Sequence, residues 1–369
     1  MVRGFHKWGW GYIRQRMRML GVARPTHLIL CVADHYEPFG KQVLRDGSIA
    51  GGADVDTALQ RVLAWCKAYR KTVAHVQDDD GRPPQHTFFY PWDEYHPKIL
   101  DAVALFCRAG YGEVEVHLHH RSDTADTLAE RLRLCRQTYA EEHGLLGRDA
   151  LHAPGYAFVH GNWALCNSRP DGDWCGVNQE IGILRQTGCF MDCTFPSAPS
   201  ATQPAFVNRL YYGGDPPEGR SGHRFSGAVH TGGAAPADSL LMLPGPLGIC
   251  PAEKGRWLPR LENAELTQQH APTRERYAFW RRVHIHVKGA PDWVFVKLHT
   301  HGLDALSRAG VIGDVAQSFH AQLREWCHAD GLQLHYATAR EMYNMIKAAE
   351  AGHGGNPYAW RDYVIAPPP

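Results

Sequence analysis

The stretch HLILCVADHYEP, residues 27–38, decides how the rest of the chain is interpreted. Its first seven residues form a continuous, partly β-branched run, which is typical of a strand buried on both faces of a parallel sheet. Asp34, His35 and Glu37 follow at once. Because the carboxyl ends of parallel strands collect binding and catalytic side chains, the stretch predicts a parallel sheet with chemistry at that edge.

The same alternation of short apolar strands with amphipathic helices continues along the chain. Further strands are predicted at 86–90, 114–118, 156–160, 190–194, 293–299 and 332–336. Seven or eight βα units predict an α/β protein built as a single distorted (β/α)7-8 barrel over residues 26–350. An open, doubly wound sheet is the competing interpretation.

Three segments lie outside this rhythm. Residues 1–25 form a basic, aromatic arm without an acidic residue, which we interpret as a helix packed on the barrel. A second interpretation of the arm is peripheral contact with anionic lipid or a partner. Residues 196–290 are rich in Pro and Gly, and we expect them to form an insertion over the C-terminal face of the barrel. Residues 351–369 form a C-terminal tail.

Composition excludes several classes of protein. The chain has 369 residues, with Lys+Arg 39 against Asp+Glu 38. It therefore lacks the excess of positive charge that is typical of a protein that binds nucleic acid. The 10 cysteines contain no CxxC pair, and we expect reduced thiols and a cytoplasmic protein. Basic residues interrupt the first twenty positions, so neither a signal peptide nor a membrane span is expected. The oligomeric state is left open.

Twenty-three histidines point to metal or proton-transfer chemistry. Polar residues follow the predicted strands at Asp34, His35, Glu37, Trp92, Asp93, His117, His119, His120, His160, Asn162, Trp163, Asp192, His299 and His301. In an HxH pair on a strand both imidazoles point the same way, so His117 and His119 can share a metal. Asp34 would complete a set of one carboxylate and two imidazoles, with His120 replacing His119 if the strand ended there and His35 as a competitor. We expect one divalent metal ion, zinc.

The order of these motifs resembles NodB-type polysaccharide deacetylases of the glycoside hydrolase/deacetylase superfamily. The motifs are ADHYEP at 33–38, HLHH at 117–120, GCFMDCTFP at 188–196 and KLH at 297–299, and the resemblance spans residues 27–340. It implies a distorted (β/α)7 barrel that holds one divalent metal and deacetylates a sugar. It also implies Asp34 as base or ligand, His117 as ligand, His299 as general acid and Asp192 near the sugar.

The chain departs from the family pattern at three places. The usual pair of adjacent aspartates is Asp34-His35 here, which makes Glu37 a candidate replacement. Arg121 stands where the second histidine is usual, so His119 or His120 must supply that ligand. No Arg-x-Pro-Tyr motif is present, and HGNW at 160–163 occupies the comparable place.

The leading hypothesis is metal-dependent hydrolysis of an acetyl amide or ester on a carbohydrate. Asp34 or Glu37 would take a proton, and His299, positioned by His301, would deliver one. The substrate would contact Trp92, Asp93, His160, Asn162, Trp163, Asp192 and His301. One alternative is a glycosidase that uses Glu37 and Asp192 without an obligate metal. Another is a catalytically silent protein of polysaccharide biosynthesis that binds carbohydrate or metal.

Overall fold

The computed structural model describes residues 4–250 and 259–369, and within them the fold is mixed α/β with a mostly parallel central sheet. The strands are β1 (His27–His35), β2 (Gln42–Val43), β3 (Ile49–Ala50), β4 (His86–Pro91), β5 (Gly112–Leu118), β6 (Tyr156–His160), β7 (Cys189–Asp192), β8 (Tyr211–Gly214), β9 (Arg224–Ala228), β10 (Ser239–Met242), β11 (Gly248–Cys250), β12 (Arg260–Glu262), β13 (Trp293–Thr300) and β14 (Gln333–Tyr336). The helices are α1 (Phe5–Arg18), α2 (Val55–Val73), α3 (Pro97–Phe106), α4 (Ala125–Gln137), α5 (Glu180–Gln186), α6 (Arg274–Val283), α7 (Ala305–Arg308), α8 (Asp314–Ala329) and α9 (Ala339–Glu350).

The ten-stranded sheet has the order β13-β1-β4-β5-β6-β7-β10-β8-β9, and β14 pairs with the first half of β1. Every pair from β13 through β10 is parallel, whereas β8 and β9 run antiparallel to their neighbours. In this register Ala33 lies beside His299, Pro91 beside His117, and Leu118 beside His160. The predicted α/β class is therefore confirmed, and the strand ends that carry the polar motifs share one edge.

The continuous apolar runs form the most buried strands. Leu28, Ile29 and Leu30 of β1 are each at most 1% exposed, and β13 is buried throughout. Burying a large aliphatic side chain contributes about 1.5–3 kcal/mol, so these strands are held by packing on both faces. This is why they could be predicted without alternation of polar and apolar residues.

Several helices begin at a side-chain cap. The carboxylate of Asp54 accepts from the amide of Thr57 at the start of α2, and Thr338 with Glu341 forms a capping box on α9. The sequence indicates Asp123 as the cap of α4, but Thr124 occupies that position. The Asp123 carboxylate instead accepts from Arg131 (2.9 Å), so the cap moves one residue along.

Segment 196–290 is more integrated into the sheet than its composition indicates. β10 pairs in parallel with β7, and β8 and β9 extend the sheet beyond it. These strands have three to five residues and several glycines, so they show little periodicity in the sequence. Part of the predicted insertion is therefore sheet, and residues 251–258 lie outside the described part of the chain.

The arm and the tail both pack on the body of the protein. Trp8 of α1 is fully buried against Ala198, Val207 and Leu247. In the tail, the carbonyl oxygen of Ile365 accepts from Arg340, and that guanidinium also binds Glu113. Within residues 4–250 and 259–369, no helix has the length and apolar character needed to cross a bilayer. Nine cysteines other than Cys250 are free thiols, and all of these except Cys107 are buried.

Buried His320 on α8 makes stability depend on pH. Its Nδ1 lies 3.0 Å from the Tyr336 hydroxyl, and burial lowers its pKa to about 3. Because the folded pKa is below the unfolded one, near 6.5, the unfolded chain binds more protons as pH falls below 6.5. Between pH 7.5 and pH 5, we expect the wild type to lose roughly 2 kcal/mol more unfolding free energy than His320→Gln. Urea unfolding at both pH values measures the two losses, and exposed His328→Gln is the control. Equal losses in the wild type and in His320→Gln would contradict the prediction.

Candidate functional site

Four side chains meet at the carboxyl edge of the sheet, beyond β1 and β5. We call His35, Glu37, His117 and His119 the rim centre. Oε1 of Glu37 lies 3.4 Å from Nε2 of His117 and 3.1 Å from Nε2 of His119. The rings of His35 and His117 are 4.7 Å apart, and ligand atoms of His35, Glu37 and His117 all lie within 4.8 Å of one another. The structure thus brings together the HxH pair and the residues that follow β1.

The two histidines of the HxH pair are held in one orientation by acceptors behind them. Nδ1 of His117 donates to the carbonyl oxygen of Val159 (3.0 Å), and Nδ1 of His119 donates to the Asp93 carboxylate (3.1 Å). Because both acceptors lack a proton, each Nδ1 carries the hydrogen and each Nε2 faces Glu37. This arrangement, in which the outer nitrogen is fixed by a carbonyl or carboxylate, is the usual support of a metal-bound histidine.

Asp93 therefore lies behind the rim centre. It is 8% exposed, and its other oxygen accepts from the backbone amide of His119 (2.8 Å). The sequence predicts Asp93 as a substrate contact, but both of its oxygens are used to hold His119. Its position just after β4 predicts that Asp93 belongs to the site. That position does not predict its role, which is to orient the His119 ring.

Charge in the rim centre is concentrated on Glu37 and His119. Burial opposes ionisation of Glu37, but hydrogen bonds from His117 and His119 hold its pKa well below the ordinary value. Burial also disfavours the charged form of His119, yet Asp93 and Glu37 raise its pKa well above the usual range. Burial, followed by the neighbouring histidines, lowers the pKa of His35 and of His117. The hydrogen that a charged His119 carries on Nε2 thus lies between that ring and Glu37, which is the place that a bound cation would take.

A cleft of about 500 Å³ leads to this centre. Eight of its nine lining residues carry polar side chains, and the full set is Glu37, Glu265, Thr267, Gln269, His270, His301, Asp304, Leu306 and Ser307. His301 lies beside the centre, with its ring 4.6 Å from that of His35 and 6.3 Å from that of Trp163. The hydrogen bond from His270 keeps Glu265 ionised, with a pKa of about 2. Glu265 was not singled out from the sequence, because no strand end precedes it there.

Asp34 lies away from the rim centre. Successive residues of a strand point to opposite faces, so Asp34 faces away from His35. Its carboxylate accepts from His86 Nε2 (2.8 Å) and from the amide of Gly302 (2.6 Å). His86 in turn packs on Trp65 and Tyr69 of α2. Asp34 therefore links strand, loop and helix layer, and its roles as base and ligand stay predictions.

His120 and His160 belong to a second group, on the other face of the sheet. His160 is in register with Leu118, so it points away from the face of His117. His120, His160, Cys175 and Glu180 are all buried, and their ligand atoms lie within 4.8 Å of one another. We call this group the buried cluster. By distance alone, either group of His, Cys and Glu side chains could hold a metal ion.

Hydrogen positions separate the two groups. The backbone amide of Asn162 donates to Nδ1 of His160 (3.1 Å), which leaves the hydrogen of the neutral ring on Nε2, the nitrogen nearest Glu180. Burial also raises the pKa of the Cys175 thiol well above its usual value. His120 lies 3.2 Å from both Asp123 and Glu180, which outweigh burial and raise its pKa to about 9. The buried cluster therefore contains an ion pair between His120 and its two carboxylates, whereas Nε2 of His160 has no hydrogen-bond partner among the described residues.

The remaining predicted residues do not line the cleft, although the His299 ring lies 6.3 Å from that of His35. Trp92 stacks on Tyr95 at 4.9 Å, and the Asn162 amide donates to the carbonyl oxygen of His120. Both Asp192 oxygens accept from Thr194, and burial raises the Asp192 pKa to about 7. His299 is 6% exposed, and burial followed by Lys297 lowers its pKa to about 3. A neutral His299 is therefore expected near pH 7, and its role as general acid stays a prediction.

Comparisons with known proteins add no relative to this picture. No family model matches the chain, and a search of the curated proteins finds no match.

The buried cluster can be tested as an ion pair. Glu180→Ala removes the acceptor of His120, of the Cys166 amide and of Cys175. Because the His120 charge would lose a buried partner, we expect a loss of about 3–5 kcal/mol in unfolding free energy. Exposed Glu130→Ala on α4 should change it by less than about 0.5 kcal/mol. Denaturant unfolding measures both, and a Glu180→Ala loss as small as that of the control would contradict the assignment.

Proposed function

We propose that this protein is a metal-dependent hydrolase that removes an acyl group, most simply acetyl, from a carbohydrate. The observation that carries the proposal is the pair His117 and His119, whose Nδ1 atoms are fixed by Val159 and Asp93 so that both Nε2 atoms face Glu37. One carboxylate and two imidazoles leave positions open for water and substrate, as catalytic metal sites require. Glu37 takes the place that the family resemblance gives to Asp34.

The donor set fits zinc, which accepts imidazole and carboxylate ligands in this number. When bound, such an ion supplies Lewis-acid polarisation of a carbonyl oxygen and makes a water molecule more acidic. His117, His119 and Glu37 would hold it, since Oε1 of Glu37 lies close to both Nε2 atoms. The ligand atoms that all lie within 4.8 Å of one another belong to His35, Glu37 and His117, so His35 can take the place of His119. The buried cluster fits less well, because the His160 nitrogen nearest Glu180 carries a hydrogen.

The cleft supplies groups for the two proton transfers of acyl hydrolysis. Ionised Glu265 can take the proton of the attacking water, and His301 can give one to the leaving nitrogen or oxygen. His301 replaces His299 in this role because it lines the cleft, whereas His299 is buried and neutral. The products are a carboxylic acid and the freed amine or hydroxyl of the sugar.

A carbohydrate is favoured by the polar character of the cleft. Thr267, Gln269, Asp304 and Ser307 offer hydroxyl, amide and carboxylate groups for sugar hydroxyls, and the Trp163 ring lies beside His301. The glycosidase alternative is less well supported, because Asp192 is buried, bonded to Thr194 and outside the cleft lining. The silent-binder alternative shares this geometry and is separated from the hydrolase by the activity experiment below.

We further infer that the sheet curves into the (β/α) barrel. Strand β1 has partners on both edges, and the outer edge of β13 is met by a parallel bridge between Glu265 and His299. That bridge brings the cleft residue Glu265 to the end of β13. The nine free thiols other than Cys250 suit a reducing compartment, so we propose the cytoplasm.

Metal content tests the centre. The purified protein should hold about one equivalent of zinc by plasma mass spectrometry, and His117→Gln and Glu37→Gln should lose it, since each removes a ligand. Asp93→Asn should weaken zinc binding by about 10- to 100-fold, because it frees the His119 ring. Cys175→Ser is the matched control and should retain the ion. Loss of zinc in Cys175→Ser with retention in His117→Gln would move the site to the buried cluster.

Activity distinguishes a hydrolase from a silent binder. Acetate release should be measured with N-acetylated and O-acetylated oligosaccharides, using the zinc-loaded protein. His301→Gln should lower kcat by about 10²-fold or more, because a positioned proton donor contributes that much. Exposed His328→Gln should leave the rate unchanged. Absence of acetate release from every oligosaccharide, with zinc bound, would favour the silent binder.

A further inference from the structure

Helix α1 has two faces with different surroundings. One face, with Trp8, Tyr12 and Gln15, packs on the body of the protein. The opposite face carries Trp10, Ile13 and Met17, and Leu20 follows one residue past the helix cap. These four side chains are 72%, 41%, 57% and 81% exposed, in that order, and they are spaced by three, four and three residues. They form one exposed apolar stripe along the helix, which we call the α1 stripe.

Positive charge borders the α1 stripe. Lys7, Arg14 and Arg18 follow one another at helical spacing along one side of it, and residues 1–33 contain no acidic residue. An apolar stripe beside basic side chains is the composition of a helix that lies in the plane of an anionic membrane surface. A second copy of the chain is a poorer occupant, because pairing two such faces would bring the arginines of both copies together.

A cavity of about 690 Å³ lies beside the C-terminal end of α1. Arg18, Arg209 and Lys288 line it, none of its lining residues is acidic, and Met19 and Phe225 contribute apolar surface. Among the described residues, neither the buried Nε of Arg209 nor the buried Oε1 of Gln15 has a hydrogen-bond partner. Buried polar atoms are normally paired, so this cavity suits a ligand with an anionic head and an apolar chain.

We propose that the α1 stripe seats the protein on an anionic phospholipid surface and that the neighbouring cavity receives the phosphate of one such lipid. Arg18 links the two parts, because it borders the stripe and lines the cavity. The Arg209 guanidinium lies over the Phe225 ring at 3.9 Å and, like Arg18, lines a cavity without an acidic residue. Burial and the proximity of Arg18 lower the pKa of Arg209 to about 10. The proposal does not depend on the hydrolase chemistry at the rim centre.

Co-sedimentation of the full chain with vesicles tests the surface. Phosphatidylcholine vesicles containing a third phosphatidylglycerol should bind the protein, and pure phosphatidylcholine vesicles should bind it at least tenfold less. The double variant Trp10→Ser, Leu20→Ser should lose at least tenfold in binding, whereas Leu151→Ser, an 86% exposed leucine elsewhere, should lose nothing. Arg14→Gln should weaken binding by roughly fivefold, and exposed Arg220→Gln should not.

Calorimetry with soluble probes tests the cavity. Decyl phosphate should bind at one equivalent, and Arg209→Gln should weaken it at least tenfold while Arg220→Gln does not. Inorganic phosphate and 1-decanol should each bind at least tenfold more weakly than decyl phosphate. Inorganic phosphate binding as tightly would make the cavity a site for free phosphate and overturn the lipid assignment. Vesicle binding unaffected by the stripe variants, or a dimer that Leu20→Ser dissociates, would overturn the assignment of the surface.

Discussion

The parallel register of the strands around β1 is the constraint on which the site depends. β1 is paired with β13 on one edge and with β14 and β4 on the other, so its end cannot shift without breaking three ladders. Parallel strands deliver their carboxyl ends to the same edge, which is why residues far apart in the chain meet there. The rim centre is thus positioned by backbone pairing before any side chain contributes.

The alternation of side chains within those strands then divides the histidines between two environments. His117 faces Glu37, whereas His160, one strand away and in register with Leu118, faces the buried cluster. Both groups contain imidazoles and a carboxylate at short distances. They differ in where the hydrogens of the neutral rings lie. Carbonyl and carboxylate acceptors keep the hydrogen off the inner nitrogens of His117 and His119, whereas a backbone donor puts it on the inner nitrogen of His160.

The strands, the edge and the HxH pair could be predicted from the sequence because continuous apolar runs mark parallel strands and two-residue spacing marks a shared face. The face of Asp34 could not, since the motif resemblance placed it without regard to the alternation that separates it from His35. Glu180 and Cys175 do not follow a predicted strand, so the sequence does not indicate that they lie beside His120 and His160. Only the structure shows this contact. The short glycine-containing strands of segment 196–290 gave no periodicity at all.

Inclusion of β10 in the main sheet has a consequence for engineering. A shortened chain that omitted residues 196–290 as a surface loop would remove the partner of β7 and leave its backbone groups unpaired. An exposed edge of this kind is a template for pairing with other chains. Such a truncated protein would be prone to aggregate, so a shortened chain must keep the strand.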